Sequence, residues 1–95
     1  MDNKNQPNQE IKIVDNIAGA EYANLMQINH NKDEFMLMFA NIAGGNGKVV
    51  GKIISTPGHT KKILAALTEN IKKYEDQFGE IKEVVVLDKE IGFKA

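Results

Sequence analysis

The chain of 95 residues contains no cysteine. This absence excludes disulfides, thiolate catalysis and cysteine-based zinc sites, and it fits a reducing compartment. The chain also lacks an excess of charge of one sign. Its net charge of −1 provides no bulk attraction to nucleic acid. No apolar run approaches the roughly 20 residues that cross a bilayer. The polar N-terminus has no apolar core of the kind that a signal peptide carries. We therefore expect a cytoplasmic protein that makes no membrane contact.

The strongest local signal is a helix in the second half of the chain. Thr56 suits the N-cap because its hydroxyl can accept a bond from a free backbone N–H of the first turn. Pro57 fits the first helical position, and Gly79 can adopt the left-handed conformation that closes a helix. Between them apolar side chains recur every three or four residues: Ile63, Leu64, Leu67, Ile71, Tyr74 and Phe78. The pattern predicts a helix over about 57–78, about 33 Å long, that lies against another layer.

Three segments before this helix have the composition of β-strands, namely 22–30, 34–42 and 48–55. Short polar residues over 29–33 predict a turn between the first two segments. The glycine-rich run 44–47 predicts a hairpin between the second and the third. Ile11, Ile13 and Val14 suggest one further short strand. The sequence therefore predicts an α+β fold in which an antiparallel sheet of three or four strands is followed by, and packed on, one long helix.

The middle segment is apolar on both of its faces. Alternate residues of a strand share a face. One face carries Phe35, Leu37 and Phe39, and the other carries Met36, Met38, Ala40 and Ile42. One helix covers only one face of such a sheet, so we expect a second copy of the chain to cover the other. The alternative is that a terminal segment folds back over it. We take Met26, Met36, Met38 and Ile42 as the candidate interface residues.

The two ends of the chain differ from its middle. Residues 1–9 are polar and rich in asparagine and glutamine, and we expect a disordered lead-in. Residues 10–83 form the predicted single α+β domain. Residues 84–95 contain the apolar run Val84–Leu87, which predicts a strand that pairs on the sheet edge or is exchanged with a partner chain.

Neither histidine indicates a catalytic or metal site. His30 precedes acidic residues in a predicted turn, but no second histidine is near it, and a solvated turn explains the pattern better. His59 falls in the first helical turn, where a positive imidazolium is disfavoured. No serine, histidine and acid are spaced as a triad, and no motif indicates a nucleophile. We therefore expect no enzyme, no cofactor and no metal.

Two features leave nucleic-acid binding open as an alternative. Gly44 and Gly47 match the GxxG of a KH module literally, but that module needs helices on both sides of the loop, and the flanks here have strand patterns. A phosphate loop is excluded because Val49 follows Gly47-Lys48 where serine or threonine is required. The basic residues that such binding would use are Lys48, Lys52, Lys61 and Lys62. Other helix lysines have acidic partners at i,i+4 spacing, as expected for a solvated face.

A set of spaced residues over about 20–81 also resembles one bacterial family. It comprises Tyr22, Asn24, Leu25, His30, Phe35, Thr56, Pro57, His59, Tyr74, Glu75, Phe78 and Gly79. With this spacing the chain resembles the domain-of-unknown-function family numbered 3467. That resemblance implies no activity, substrate or catalytic residue. The order of strands and helix is also similar to that of the SecB export chaperones, which would imply a groove for extended apolar segments with Met26, Met36 and Met38 as adaptable contacts.

These observations favour a small non-catalytic protein, a homodimer or higher homo-oligomer, that acts as a module for protein or peptide interaction.

Overall fold

Three strands and one helix form the regular structure of residues 10–83. The computed structural model describes residues 10–83. The strands are β1 (Leu25–His30), β2 (Phe35–Ala43) and β3 (Asn46–Ser55), and the helix is α1 (Pro57–Phe78). The strands form one antiparallel sheet in the order β1-β2-β3. The predicted α+β order is confirmed, and the helix has the predicted bounds. The expectations for 1–9 and 84–95 lie outside the described residues.

The described chain divides into two compact units, and each contains a stretch of all three strands. The first comprises residues 10–27 and Met38–Lys52, and the second comprises Ile28–Leu37 and residues 53–83. The first unit therefore holds the β2–β3 hairpin, and the second holds the β1–β2 turn and the helix. The single domain expected over 10–83 stays a prediction.

A two-residue turn closes the hairpin of the first unit. β2 ends at Ala43 and β3 begins at Asn46, so the loop is Gly44-Gly45. Gly44 has a φ of 64°, whereas Gly45 is not among the glycines with positive φ. Positive φ at the first central residue alone is the pattern of a type II′ turn, whose twist matches that of the flanking strands. The predicted hairpin is confirmed, with a shorter loop than the glycine-rich run implies.

The short strand suggested by Ile11, Ile13 and Val14 is not formed in the described structure. Residues 10–20 contain no strand, and these three side chains are exposed. The hydrogen bond found here is local, from the N–H of Ile17 to the Asp15 carboxylate at 3.0 Å. Alternation of apolar residues identifies a segment that can form a strand, but a strand also needs a neighbouring backbone to pair with. That neighbour is missing from the described part of the single chain.

Asn24 extends the pairing of β1 with β2 by one residue through its side chain. The Asn24 side-chain nitrogen donates to the Ile42 carbonyl at 2.8 Å, and the Ile42 N–H donates to Oδ1 of Asn24, also at 2.8 Å. The Asn24 backbone N–H donates to the Ala40 carbonyl at 3.0 Å. The side-chain amide thus supplies the donor and the acceptor that a backbone residue would supply.

Replacing Asn24 with alanine should lower the free energy of unfolding by about 1–3 kcal/mol, since two hydrogen bonds of ordinary net worth are lost. Asn24→Asp should cost at least as much, because it places a second oxygen against the Ile42 carbonyl. Urea denaturation at one fixed protein concentration measures the loss. Asn16→Ala is the matched control, since Asn16 makes no side-chain hydrogen bond to another described residue. Equal unfolding midpoints for Asn24→Ala and Asn16→Ala would contradict the assignment.

In the second unit, one asparagine orders the turn between β1 and β2. Oδ1 of Asn31 accepts hydrogen bonds from the N–H groups of Asp33 at 2.8 Å and Glu34 at 2.9 Å. The Asn31 N–H donates to the Glu34 carbonyl at 3.0 Å. This is the local side-chain to backbone bonding that the polar run predicts.

The start of α1 is capped as predicted. Thr56 has extended backbone angles, and its hydroxyl accepts a hydrogen bond from the His59 N–H at 3.1 Å. The Thr60 hydroxyl lies 2.7 Å from the Thr56 carbonyl oxygen and 3.2 Å from the hydroxyl of Ser55, which is buried. Because a single residue, Thr56, separates β3 from α1, these hydrogen bonds determine where the strand ends and the helix begins.

The end of α1 is closed by Gly79 and Glu75. The Gly79 N–H donates to the Glu75 carbonyl at 2.9 Å, and the Glu75 carboxylate accepts from the Ile81 N–H at 3.0 Å. Gly79 has φ 100° and ψ 172°. The positive φ agrees with the expectation, but ψ differs from the left-handed helical conformation. The backbone lies instead in a region that is essentially restricted to glycine.

Gly79→Ala should therefore lower the free energy of unfolding by about 1–3 kcal/mol, because a Cβ strains this backbone conformation. Gly58→Ala is the matched control within the same helix. A Cβ at Gly58 meets nothing within 4 Å, and its φ is not positive. We expect Gly58→Ala to be neutral or slightly stabilising, as alanine is the better helix former. Urea denaturation at one protein concentration compares the two, and equal effects would contradict the assignment.

Few of the described residues are buried. They are Leu37, Ala40 and Ser55, and no side chain of α1 is among them. The sequence predicts a sheet packed on this helix, but among the described residues none of α1 is fully buried, and Thr60, Ile63 and Glu75 are half-buried. The described residues therefore cover only part of the apolar side of α1.

Candidate interaction surface

A row of exposed apolar side chains runs along α1 in the second unit. We call it the helix stripe and define it as Leu64, Leu67, Ile71, Tyr74 and Phe78. These five side chains are between 48% and 66% exposed. The Tyr74 and Phe78 rings lie 5.0 Å apart with an interplanar angle of 48°. An aromatic pair at this distance stabilises the last turns of the helix, yet both rings still present surface to water.

The end of β3 that leads into α1 is also exposed. Ile53 is 54% exposed and its neighbour Ile54 is 63% exposed. Successive residues of a strand point to opposite faces of the sheet. Both faces of the sheet therefore carry partly exposed apolar surface here, next to the buried Ser55 that ends β3. Ile28 of β1, in the same unit, is exposed as well.

The predicted interface residues are distributed over two strands. Met26 lies on β1 and is 47% exposed. Met36, Met38 and Ile42 lie on β2 and are half-buried. Met38 and Ile42 share one face of β2 with Ala40, which is fully buried between them. Their role in an interface stays a prediction.

The histidines occupy structural positions. The His30 ring stacks on the Phe35 ring, with centroids 5.1 Å apart and an interplanar angle of 23°. His30 also borders a shallow depression of about 220 Å³ with Asn29, Glu34 and Ile54. His59 lies in the first helical turn, where its N–H donates to the cap. Within residues 10–83 no cluster of three or more histidines and acidic residues is suited to a metal ion.

The basic residues are exposed in both units. Lys48 and Lys52 lie on β3 in the first unit, and Lys61 and Lys62 lie near the start of α1 in the second. None of them makes an ion pair with another described residue. The ion pairs observed are those that the sequence predicts on α1. Lys72 lies 3.1 Å from Asp76, and Lys73 lies 4.0 Å from Glu69.

Three features of the described structure were not predicted from the sequence. The side-chain pairing of Asn24 and the bond from Ile81 to Glu75 depend on distant or subsequent backbone, which residue type alone does not reveal. The exposure of Ile53 and Ile54 could have been predicted from the sequence, because two adjacent β-branched residues at the end of a strand point to opposite faces of the sheet. The segment KVVGKIIS contains this pair.

The described structure defines a small α+β protein with an exposed helix stripe and with an exposed isoleucine on each face of the sheet near the end of β3. The chain belongs to the family described as "Protein of unknown function (DUF3467)", whose model matches residues 1–83. This confirms the family expected from the spaced residues. No curated protein and no solved structure matches the chain. The similarity to the SecB topology therefore stays a prediction. Within the described residues, no helix has the length and apolar character that crossing a membrane requires.

Proposed function

We propose that this protein is a non-catalytic interaction module that works as a homo-oligomer, with a homodimer as its smallest form. The observation that carries the proposal is the exposed helix stripe. Isolated exposed apolar residues are ordinary, but a continuous row of five along one helix is typical of a surface that another chain covers.

The amount of apolar surface agrees with an interface. An aromatic side chain can bury roughly 150–250 Å² and a leucine or isoleucine somewhat less, so the exposed part of the helix stripe amounts to on the order of 500 Å². A standard interface buries about 800 Å² per partner, of which somewhat more than half is apolar. One helix stripe per copy supplies an apolar area of that size. Ile53 and Ile54 add further surface in the same unit.

The methionines of β1 and β2 support binding of a protein or peptide by the assembled oligomer. Met26 is exposed, and Met36 and Met38 are half-buried. Methionine has a flexible, polarisable side chain that adapts to differently shaped apolar partners. A cytoplasmic location remains the expectation from the sequence.

Light scattering coupled to size-exclusion chromatography tests the proposal, with an apolar dye added to the same fractions. We expect a mass of at least twice the 10.5 kDa of one chain. We also expect dye binding that an extended apolar peptide reduces, because both compete for the same surface. A single-chain mass would refute the proposed homo-oligomer, and absence of dye binding would refute the proposed binding surface.

The alternative of nucleic-acid binding rests on Lys48 and Lys52. Both are exposed on β3, four residues apart and therefore on the same face, and neither pairs with another described residue. A salt titration against mixed DNA and RNA tests this alternative, since each phosphate contact makes binding weaken as salt rises. Absence of binding at low salt would end it.

A further inference from the structure

The residues of the helix stripe follow a heptad spacing. Leu64, Leu67, Ile71, Tyr74 and Phe78 are separated by three, four, three and four residues in turn. This alternation places them at successive a and d positions of a heptad, with Leu64 at a. Thr60 occupies the d position before Leu64. A helix with this spacing presents a narrow seam that fits the seam of a second helix, whereas a helix that covers a sheet usually has a broader apolar face.

The two flanks of the seam differ in charge. One flank, the e positions, carries Lys61, Thr68 and Glu75. The other flank, the g positions, carries Ile63, Asn70 and Gln77. The flank with Lys61 and Glu75 therefore has a positive charge near the helix start and a negative charge near its end.

Four of the five remaining charged side chains of α1 pair within the helix, and the fifth, Lys62, makes no ion pair with another described residue. Lys72 pairs with Asp76 and Lys73 pairs with Glu69 on the side away from the stripe. Lys61 makes no ion pair with another described residue. Of the two Glu75 carboxylate oxygens, Oε2 accepts the Ile81 N–H, and Oε1 accepts no hydrogen bond from another residue within 10–83.

We infer that α1 pairs with α1 of a second copy in antiparallel orientation, around a two-fold axis near the middle of the helix. Thr68 meets its own equivalent across that axis. The a and d layers then join Leu64 to the partner's Tyr74, Leu67 to the partner's Ile71, and Thr60 to the partner's Phe78. On the e flank Lys61 faces the partner's Glu75, and the symmetry forms this ion pair twice.

In a parallel pair of helices, neither Lys61 nor Glu75 would face an opposite charge of the partner. Its flanking contacts join a g position to the e position five residues later in the other helix. Glu75 would face the partner's Asn70, and Ile63 would face the partner's Thr68, so no opposite charges would meet. The bulky Tyr74 and Phe78 would also meet their own equivalents at one end. Antiparallel packing instead places each large side chain against a smaller one and aligns the helix dipoles favourably.

This inference rests on the proposed homo-oligomer and specifies which surface forms it. A charge exchange between copies tests the antiparallel orientation. Lys61→Glu alone places like charges opposite each other twice in its homodimer, and so does Glu75→Lys alone. Each variant should associate about tenfold more weakly than the wild type at low salt. An equimolar mixture should recover the wild-type affinity, because the mixed dimer contains both opposite-charge pairs.

The mixture also controls for local effects. Each Glu75→Lys chain loses its bond to the Ile81 N–H whether it is free or paired, so this loss cancels in the association equilibrium and recovery on mixing reports the contact between copies. Dilution series followed by light scattering measure all four samples. If the wild type dimerises and the mixture does not recover, the antiparallel pairing is overturned while the proposed oligomer stands. A single-chain mass for the wild type overturns the proposed function itself.

Cross-linking provides a second measurement that does not depend on charge. The chain has no cysteine, so Asn70→Cys and Gln77→Cys each introduce one thiol on the same flank. In the antiparallel pair the two copies of residue 70 are offset by about 3 Å along the axis, and those of residue 77 by about 24 Å. A short bis-maleimide should join Asn70→Cys and leave Gln77→Cys unjoined. Cross-linking of both would indicate a parallel pair, and cross-linking of neither would exclude helix pairing.

Discussion

Leu67→Arg should convert the protein to single chains at micromolar concentration. Leu67 is central in the helix stripe and 57% exposed in the single chain, so its replacement removes little from the chain's own packing. In the proposed dimer the interface buries the Leu67 side chain of both copies, so the substitution removes two buried leucines. Burying a leucine contributes about 1.5–3 kcal/mol, so the loss amounts to about 3–6 kcal/mol per dimer. Association should weaken by roughly two to four orders of magnitude.

Ala66→Arg is the matched control for this substitution. It adds the same charge at the adjacent position, which lies on the far side of α1 from the stripe. Both positions are exposed in the single chain, and arginine is a good helix former at either one. Light scattering over a dilution series compares the two variants, and far-ultraviolet circular dichroism verifies that α1 is retained. If both variants keep the wild-type mass, the helix stripe is not the interface.

The stability of the wild type should increase with protein concentration. Leu37 and Ala40 are the buried apolar residues of the described chain, a small core for a sheet and a helix of 22 residues. If a second copy supplies the missing cover, folding and association occur together and mass action contributes to stability. A hundredfold rise in concentration should stabilise the dimer by about 2.7 kcal/mol. The urea midpoint should then shift upward by about 1 M.

Urea denaturation at about 1 µM and 100 µM measures this shift, which far exceeds the reproducibility of a midpoint. Leu67→Arg should abolish the dependence because the variant remains a single chain at both concentrations. A wild-type midpoint that does not change with concentration would show that the single chain is stable without a partner.

The helix and its bounds could be predicted because the determining interactions are local. Thr56, Pro57 and Gly79 act through bonds and backbone conformations within one turn of the helix ends. The turn at Asn31 and the hairpin at Gly44 are similarly local. Residue type and spacing are sufficient for such features.

The segment with Ile11 and Ile13 shows that an alternating apolar pattern is not sufficient to predict that a strand forms. Its alternation is that of a strand, but pairing depends on which backbone lies beside it, and none of the described chain does. The same limit applies to the packing of α1. The apolar spacing of α1 predicts that the helix packs against another element, but it does not distinguish a sheet from a second helix.

The sequence by itself determined the order of strands and helix, the caps and turns, and the family to which the chain belongs. These properties follow from neighbours in the chain and from periodicity. Only the tertiary structure decided that the helix stripe and the sheet end at Ile53 and Ile54 remain exposed. The burial of an apolar side chain depends on how elements distant in sequence come together, and hydrophobic attraction has no direction that a local pattern could encode.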